Sequence, residues 1–149
     1  MANGSRVDPY GKFNFLISID GVTTAGFSEV SGLTSDTNVM EYREGADAIN
    51  GMNTVRKLVG LVKFTNIVLK HGITIDTSIY KWRKTVLDGA TQRANGSITL
   101  LDEGRNPVMS WNFFGGWCQK LEIGPFDAKS SEVAIETLEI VHEALELAT

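Results

Sequence analysis

The residues best equipped for chemistry in this chain are few. His142-Glu143-Ala144-Leu145-Glu146 opens like a zinc-protease helix. In that motif two imidazoles four residues apart close on one metal from one helical face. Glu146 stands where the second imidazole is needed, and the chain has two histidines in all, His142 and His71. The spacing argues against a metal site and for a solvated or hydrogen-bonded histidine. Cys118, the single cysteine, would make a nucleophile with either histidine as base. No family signature surrounds it, and a small packed apolar residue is the better reading. There is no Gly-x-Ser-x-Gly elbow and no glycine-rich phosphate loop. Asp102-Glu103 and Glu143 with Glu146 are carboxylate pairs in sequence alone, which turn and surface placement explain. The reading is therefore no catalytic residue, no metal and no cofactor.

The elements that would position these groups are mostly strands. Phe13, Phe15, Ile17 and Ile19 alternate with polar or smaller neighbours, a period of two. Asp20-Gly21 is a hairpin-turn signal, and residues 22–30 read as the return strand, broken by Ser31-Gly32-Leu33. A third strand fits residues 37–43, with Val39 on one face and Met40 and Tyr42 on the other. Residues 44–53 have no periodicity; Ile49 and Met52 are stray apolar side chains in a polar loop, suited either to docking or to tucking back. Residues 54–70 are rich in β-branched side chains with imperfect alternation and read as a long, bent strand or as two strands meeting at a kink, with Gly60 predicting a bulge or bend. Residues 76–87 read as a helix capped by Asp76 or Thr77 and stopped by Gly89, with Ile79, Trp82, Arg83 and Val86 at helical spacing. Tyr80 and Trp82 cannot both face one core. Strands follow over residues 91–101, 108–114 and 117–123. Residues 133–147 fit either a helix or a strand, and the abundance of Ala, Glu and Leu tips propensity towards helix. The sum is an antiparallel, β-rich single domain over residues 1–149 with one middle helix, residues 1–11 forming a loose arm.

Composition sets bounds. With 149 residues, 42% hydrophobic and 21% charged, the chain can bury a proper core. A net charge of −4 argues against non-specific binding to nucleic acid or an anionic membrane. One cysteine excludes an intrachain disulfide. Met1-Ala2-Asn3-Gly4-Ser5-Arg6 lacks a signal-peptide core, and no run reaches the roughly 18 apolar residues of a membrane span. The expectation is a soluble protein assembled in a cytoplasm, with no membrane insertion and no specific nucleic-acid recognition.

Several segments carry a resemblance in their order and spacing. They are Phe13-Asn14-Phe15-Leu16-Ile17 leading to Ser31-Gly32-Leu33, then Glu41-Tyr42-Arg43-Glu44-Gly45. Ile67-Val68-Leu69-Lys70-His71-Gly72 precedes the helix with Tyr80-Lys81-Trp82. Trp111-Asn112-Phe113 runs through to Trp117, and Glu132-Val133-Ala134-Ile135-Glu136-Thr137-Leu138-Glu139-Ile140 closes the series. Over roughly residues 9–147 the chain resembles the tail-tube (inner-tube) proteins of contractile phages and phage-like contractile injection systems. The resemblance implies a mainly β fold, a β-sandwich or small antiparallel barrel with one flanking α-helix. It implies a hexameric ring whose inner sheets join around a lumen, with rings stacking into a tube. Its partners would be further copies of itself, a sheath protein, baseplate hub and spike proteins, a terminal cap, and DNA or protein effectors as cargo, within a virion tail or a released injection particle.

The resemblance also assigns surfaces. The loop with Glu44, Ile49, Met52 and Asn53 would reach a neighbouring subunit or ring. Lys81, Arg83 and Lys84 on the helix would face the sheath. It makes the last segment a strand over residues 133–145, against propensity. Glu132, Glu136 and Glu139 then become candidates for a negative lumen wall, with Val133, Ile135 and Val141 turned into the sandwich. The alternatives are a tube-initiator or terminal adaptor ring at the baseplate hub, a monomeric ligand-binding β-barrel, or a small hydrolase using Cys118 or His142.

Overall fold

The computed structural model describes residues 14–25, 27–42, 55–129 and 132–148. The loose arm, the side chain of Phe13 and the whole of the loop carrying Glu44, Ile49, Met52 and Asn53 lie outside these residues. The described chain runs β1 (Phe15–Ile19), β2 (Thr23–Ala25), β3 (Glu29–Ser31), β4 (Ser35–Tyr42), β5 (Arg56–Phe64), β6 (Ile67–Gly72), α1 (Ser78–Leu87), β7 (Ala94–Leu101), β8 (Pro107–Ile123), β9 (Ile135–Val141) and β10 (Ala144–Ala148).

One antiparallel sheet takes the order β2-β1-β7-β8-β9-β6-β3, with β10 also on β8. The sheet curls. β2 and β3 are neighbours in sequence yet occupy its two opposite edges. The single return strand expected over residues 22–30 is thus two short strands. The chain leaves β2 after Ala25, turns Phe27 into the core and joins β6 at Glu29. Burying that large ring offsets the loss of continuous pairing.

Alternation along the strands makes the core. Ile17 and Ile19 of β1, Ile67 and Leu69 of β6, Ile98 of β7, Phe113 and Cys118 of β8, and Leu138 and Ile140 of β9 form one buried cluster. α1 closes it with Ile79 and Trp82, while Tyr80 stays half exposed, which settles which aromatic faces inward. The helix starts two residues later than the sequence predicts. Thr77 makes no side-chain cap; the Asp76 carboxylate instead accepts the Ser78 N–H at 3.0 Å.

β8 is 17 residues long and serves both halves of the sheet. Its first half lies between β7 and β10, and its second half pairs with β9. It bends at Gly115, which holds φ 65°, a conformation costly for a residue with a Cβ. The final segment follows that bend. The strand expected over residues 133–145 is split into β9 and β10 at His142-Glu143, where the Glu143 N–H bonds the Phe114 carbonyl at 2.9 Å. Sheet pairing has overridden helix propensity here.

The phase of β9 is the reverse of the expected one. Glu136, Leu138 and Ile140 are buried, while Ile135 and Val141 are only half-buried and Val133 is 71% exposed beyond the strand. In a strand the faces alternate, so the face with two fully buried aliphatics dictates where Glu136 points. His71, its direct partner across β6–β9, meets it there at 2.7 Å.

Candidate functional site: an uncovered hairpin

The groups that could do chemistry are occupied structurally. Burial pushes the Cys118 thiol up to about 11, which keeps it protonated and unreactive near neutral pH. His71 and Glu136 form a buried pair, with the Phe27 ring edge-on to His71 at 5.1 Å. His142 lies at a strand corner and not on a helix, so Glu146 does not share a helical face with it. Among the described residues no cluster of three or more His, Cys, Asp or Glu side chains has metal-site geometry.

His142 instead roots a hairpin. β4 and β5 form a separate two-stranded sheet that pairs with no other strand among the described residues. At its base the His142 Nε2 lies 2.8 Å from the Thr65 carbonyl, where an Nε2–H donates, and the Phe64 ring sits 5.7 Å from the imidazole. The Thr65 hydroxyl donates to the Gly32 carbonyl at 2.8 Å. The Asn66 amide donates to Glu139 Oε1 at 2.8 Å and to Gln119 Oε1 at 2.6 Å. These bonds fix the angle at which the blade leaves the sheet.

Beyond the root the blade stands clear. Every residue of β4, and every residue of β5 except Gly60 and Phe64, is exposed. Val39 pairs with Val59, and the next pair is Met40 with Leu58. Neighbouring residues on a strand point to opposite faces, so each face of the ribbon carries an aliphatic centre. Val59 is 82% exposed on one side and Met40 55% on the other. The expected bulge is present: Gly60 and Leu61 together oppose Asn38, and a Cβ on Gly60 would stand 2.6 Å from the Asn38 carbonyl oxygen. A two-stranded ribbon is marginal on its own. A contiguous apolar surface of this kind marks an interaction site.

The other predicted residues fall into place around this. Glu44, Ile49, Met52 and Asn53 belong to the segment joining β4 to β5, outside the described residues. Lys81 and Lys84 are exposed on α1. Arg83 is not outward-facing as expected: it is half-buried, and its Nη1 donates to the Cys118 carbonyl at 3.0 Å, tying α1 to β8. Glu136 cannot line a lumen, because it is 9% exposed within one protomer and paired with His71. Glu139 is half-buried on the opposite face, and Glu132 is exposed. The blade residues were missed as a site. Their signal was the imperfect alternation of Leu58-Val59-Gly60-Leu61-Val62, an apolar run on both parities.

Several known structures share this architecture. A chain in the cryo-EM structure of the anti-feeding prophage (AFP) baseplate, 6-fold symmetrised, is 26% identical with TM-score 0.82, covering 96% of this chain and 97% of that one. A chain of the PVC extracellular contractile injection system sheath–tube complex, extended state, is 23% identical with TM-score 0.83, covering 94% and 91%. A chain of the AFP tube-terminating cap is 22% identical with TM-score 0.84, covering 100% and 99%. No curated protein sequence matches the chain. The sequence matches the T4-like virus tail tube protein gp19 family over residues 11–146, nearly its whole length. The chain belongs to that family, and it is a structural tail-tube protein and not an enzyme.

Proposed function

We propose that this protein is the repeating subunit of an inner tube, six copies closing into a ring and rings stacking around a conduit for DNA or protein effectors. The observation that carries this reading is the β4–β5 hairpin, apolar on both faces and hydrogen-bonded to no other strand among the described residues. Each aliphatic side chain fully covered on assembly contributes about 1.5–3 kcal/mol, against about 0–1 kcal/mol for an exposed ion pair. The hairpin therefore dominates association. Edge strands of eight and nine residues invite pairing with a further copy, which would make a continuous wall of the separate ribbons. The sixfold symmetry of the AFP baseplate supports the ring, and the sheath–tube and cap structures support a sheath outside and a cap at the end.

Within this reading Lys81 and Lys84 meet the sheath, and the loop with Glu44, Ile49, Met52 and Asn53 extends the hairpin to a neighbouring ring. Glu132 and Glu139 remain the lumen candidates. The face of β9 that bears Glu139 adjoins Lys70 and Lys120 as well as Glu122, so a bore formed there is of mixed charge. Assembly takes place in a bacterial cytoplasm, before incorporation into a tail or injection particle.

A baseplate or terminal ring is the second reading, since AFP baseplate and cap chains match with TM-scores of 0.82 and 0.84 beside 0.83 for the sheath–tube chain. Electron microscopy of the purified protein separates the two. Stacked rings and tubes are expected for the main tube, and rings that never propagate for the adaptor. Monomers at every concentration would end both.

A further inference from the structure

A cleft of about 600 Å³ opens beside the core, where β3 comes opposite β1, β7 and β8. Cross-strand pairing builds one wall. Phe15 of β1 stands opposite Leu100 of β7, and Ile98 of β7 opposite Trp111 of β8. Val30 of β3 and Leu33 just beyond it form the other wall. Ile98 is buried, Phe15, Val30, Leu100 and Trp111 are half-buried, and Leu33 is exposed. Glu29, 3.6 Å from Lys70 Nζ, stands on the polar rim. Apolar side chains that displace water from such a cleft gain from the exchange. The chain before β1 departs from the same place. The Asn14 carbonyl accepts the Leu101 N–H at 2.9 Å, and its amide donates to the Asp102 carbonyl at 3.5 Å. Phe15, the next residue, is already cleft wall.

We infer that this cleft is the seat of the chain's own N-terminal arm, with Tyr10 as the side chain that fills it. The arm, residues 1–13, carries Val7, Tyr10 and Phe13 at intervals of three, with Pro9 and Gly11 between them. An extended chain covers at most about 13–14 Å between Asn14 and Tyr10, so a single reversal at Gly11 brings Tyr10 back over the cleft. Tyrosine suits the site: its ring takes the apolar walls and its hydroxyl reaches the polar rim. Charge agrees, since Arg6 and Lys12 outnumber Asp8 in the arm and Glu29 stands on the rim. The tether at Asn14 gives the arm an effective concentration on the order of millimolar, ahead of any free segment of a second copy. Seated there, the arm joins β3, one edge of the sheet, to the β1–β7–β8 half and closes the seam that the curl leaves open.

The test places Tyr10→Cys and Leu33→Cys together in the full chain under mild oxidation; the native Cys118 is fully buried and does not compete. Val7→Cys and Phe13→Cys replace Tyr10→Cys in parallel variants. The expected result on a denaturing, non-reducing gel is a disulfide within one chain, at monomer mass, strongest for Tyr10→Cys. As a second measurement, Val7→Ser with Tyr10→Ser should leave the circular dichroism spectrum unchanged and move tryptophan emission to longer wavelength. That shift should vanish in a Trp111→Phe background, which assigns it to the cleft wall. No intrachain disulfide from any of the three arm positions overturns the inference, as does tryptophan emission that the arm substitutions leave unchanged. Disulfides that join two copies, with none inside one chain, give the cleft to another molecule's arm and overturn it equally.

Discussion

In β9, Leu138 and Ile140 lose all contact with solvent, while in β5, Val59 and Leu61 keep 82% and 75% of theirs. Both strands are antiparallel, rich in aliphatic side chains and paired along their length. The difference lies in what stands over them. β9 sits between β6 and β8 in a sheet that curls onto its own inner face and is closed by α1. The β4–β5 ribbon has no second layer among the described residues. The same residue types thus stabilise the protomer in one place and leave it incomplete in the other. A folded domain holding an unpaid apolar surface on a rigid root is what a self-assembling subunit requires.

Substitutions at four places sharpen this contrast, from the largest expected effect downward. Phe113→Ala removes a ring with no solvent exposure from the centre of the cluster. It should destabilise the isolated protomer by about 3–5 kcal/mol in urea unfolding. A loss under about 1 kcal/mol would mean that the curled sheet is not the stability core. Glu136→Ala strands His71 in a buried position and should cost about 1–3 kcal/mol, with Glu136→Gln costing less. No loss in either variant would show that the pair is solvated and the phase of β9 misassigned.

Cys118 gives a pH-dependent effect. Burial raises its thiol from 9.0 to about 11, so the unfolded thiol ionises first as pH rises. The stabilisation from keeping it neutral is complete below pH 9.0 and is lost as pH approaches about 11. The stability gap between wild type and Cys118→Ala should narrow across that window. A gap that widens would reverse the sign and contradict the burial of the thiol. The smallest effect is expected from Lys81→Glu with Lys84→Glu on exposed positions of α1. Protomer stability should shift by under about 0.5 kcal/mol, with tube formation intact and sheath association weakened. Lost tubes would place α1 at a subunit contact instead.

The parts of the fold legible in the sequence were those governed by local pattern. Period-two runs located β1 and β7 and the two halves of β8, which the sequence reading had divided at Gly115-Gly116; the turn at Asp20-Gly21 appeared where expected, and Gly60 marked the bulge. Helical spacing put Ile79 and Trp82 on one face with Arg83 and Val86, and the choice between Tyr80 and Trp82 as the inward aromatic was made by the packing. What failed depended on distant partners. Nothing near residue 26 announces that the chain crosses from one sheet edge to the other. The phase of β9 hung on His71, 65 residues upstream in the register pair with Glu136, and the carboxylates misled because an unpaired charge avoids a core whereas a paired one need not. Arg83 looked like part of a solvated basic cluster until its guanidinium found the Cys118 carbonyl. The hairpin was seen as two strands and its loop as a contact; its two apolar faces were not, because the alternation that normally names a buried face was absent on both.

The most direct measurement is electron microscopy of wild type beside Val59→Asp with Leu61→Asp, after both are shown to fold with the same circular dichroism spectrum and unfolding midpoint. Charging the exposed blade should leave the protomer as stable as before and abolish rings and tubes that wild type forms. Tubes of normal length from the charged variant would contradict the claim that the uncovered hairpin drives assembly.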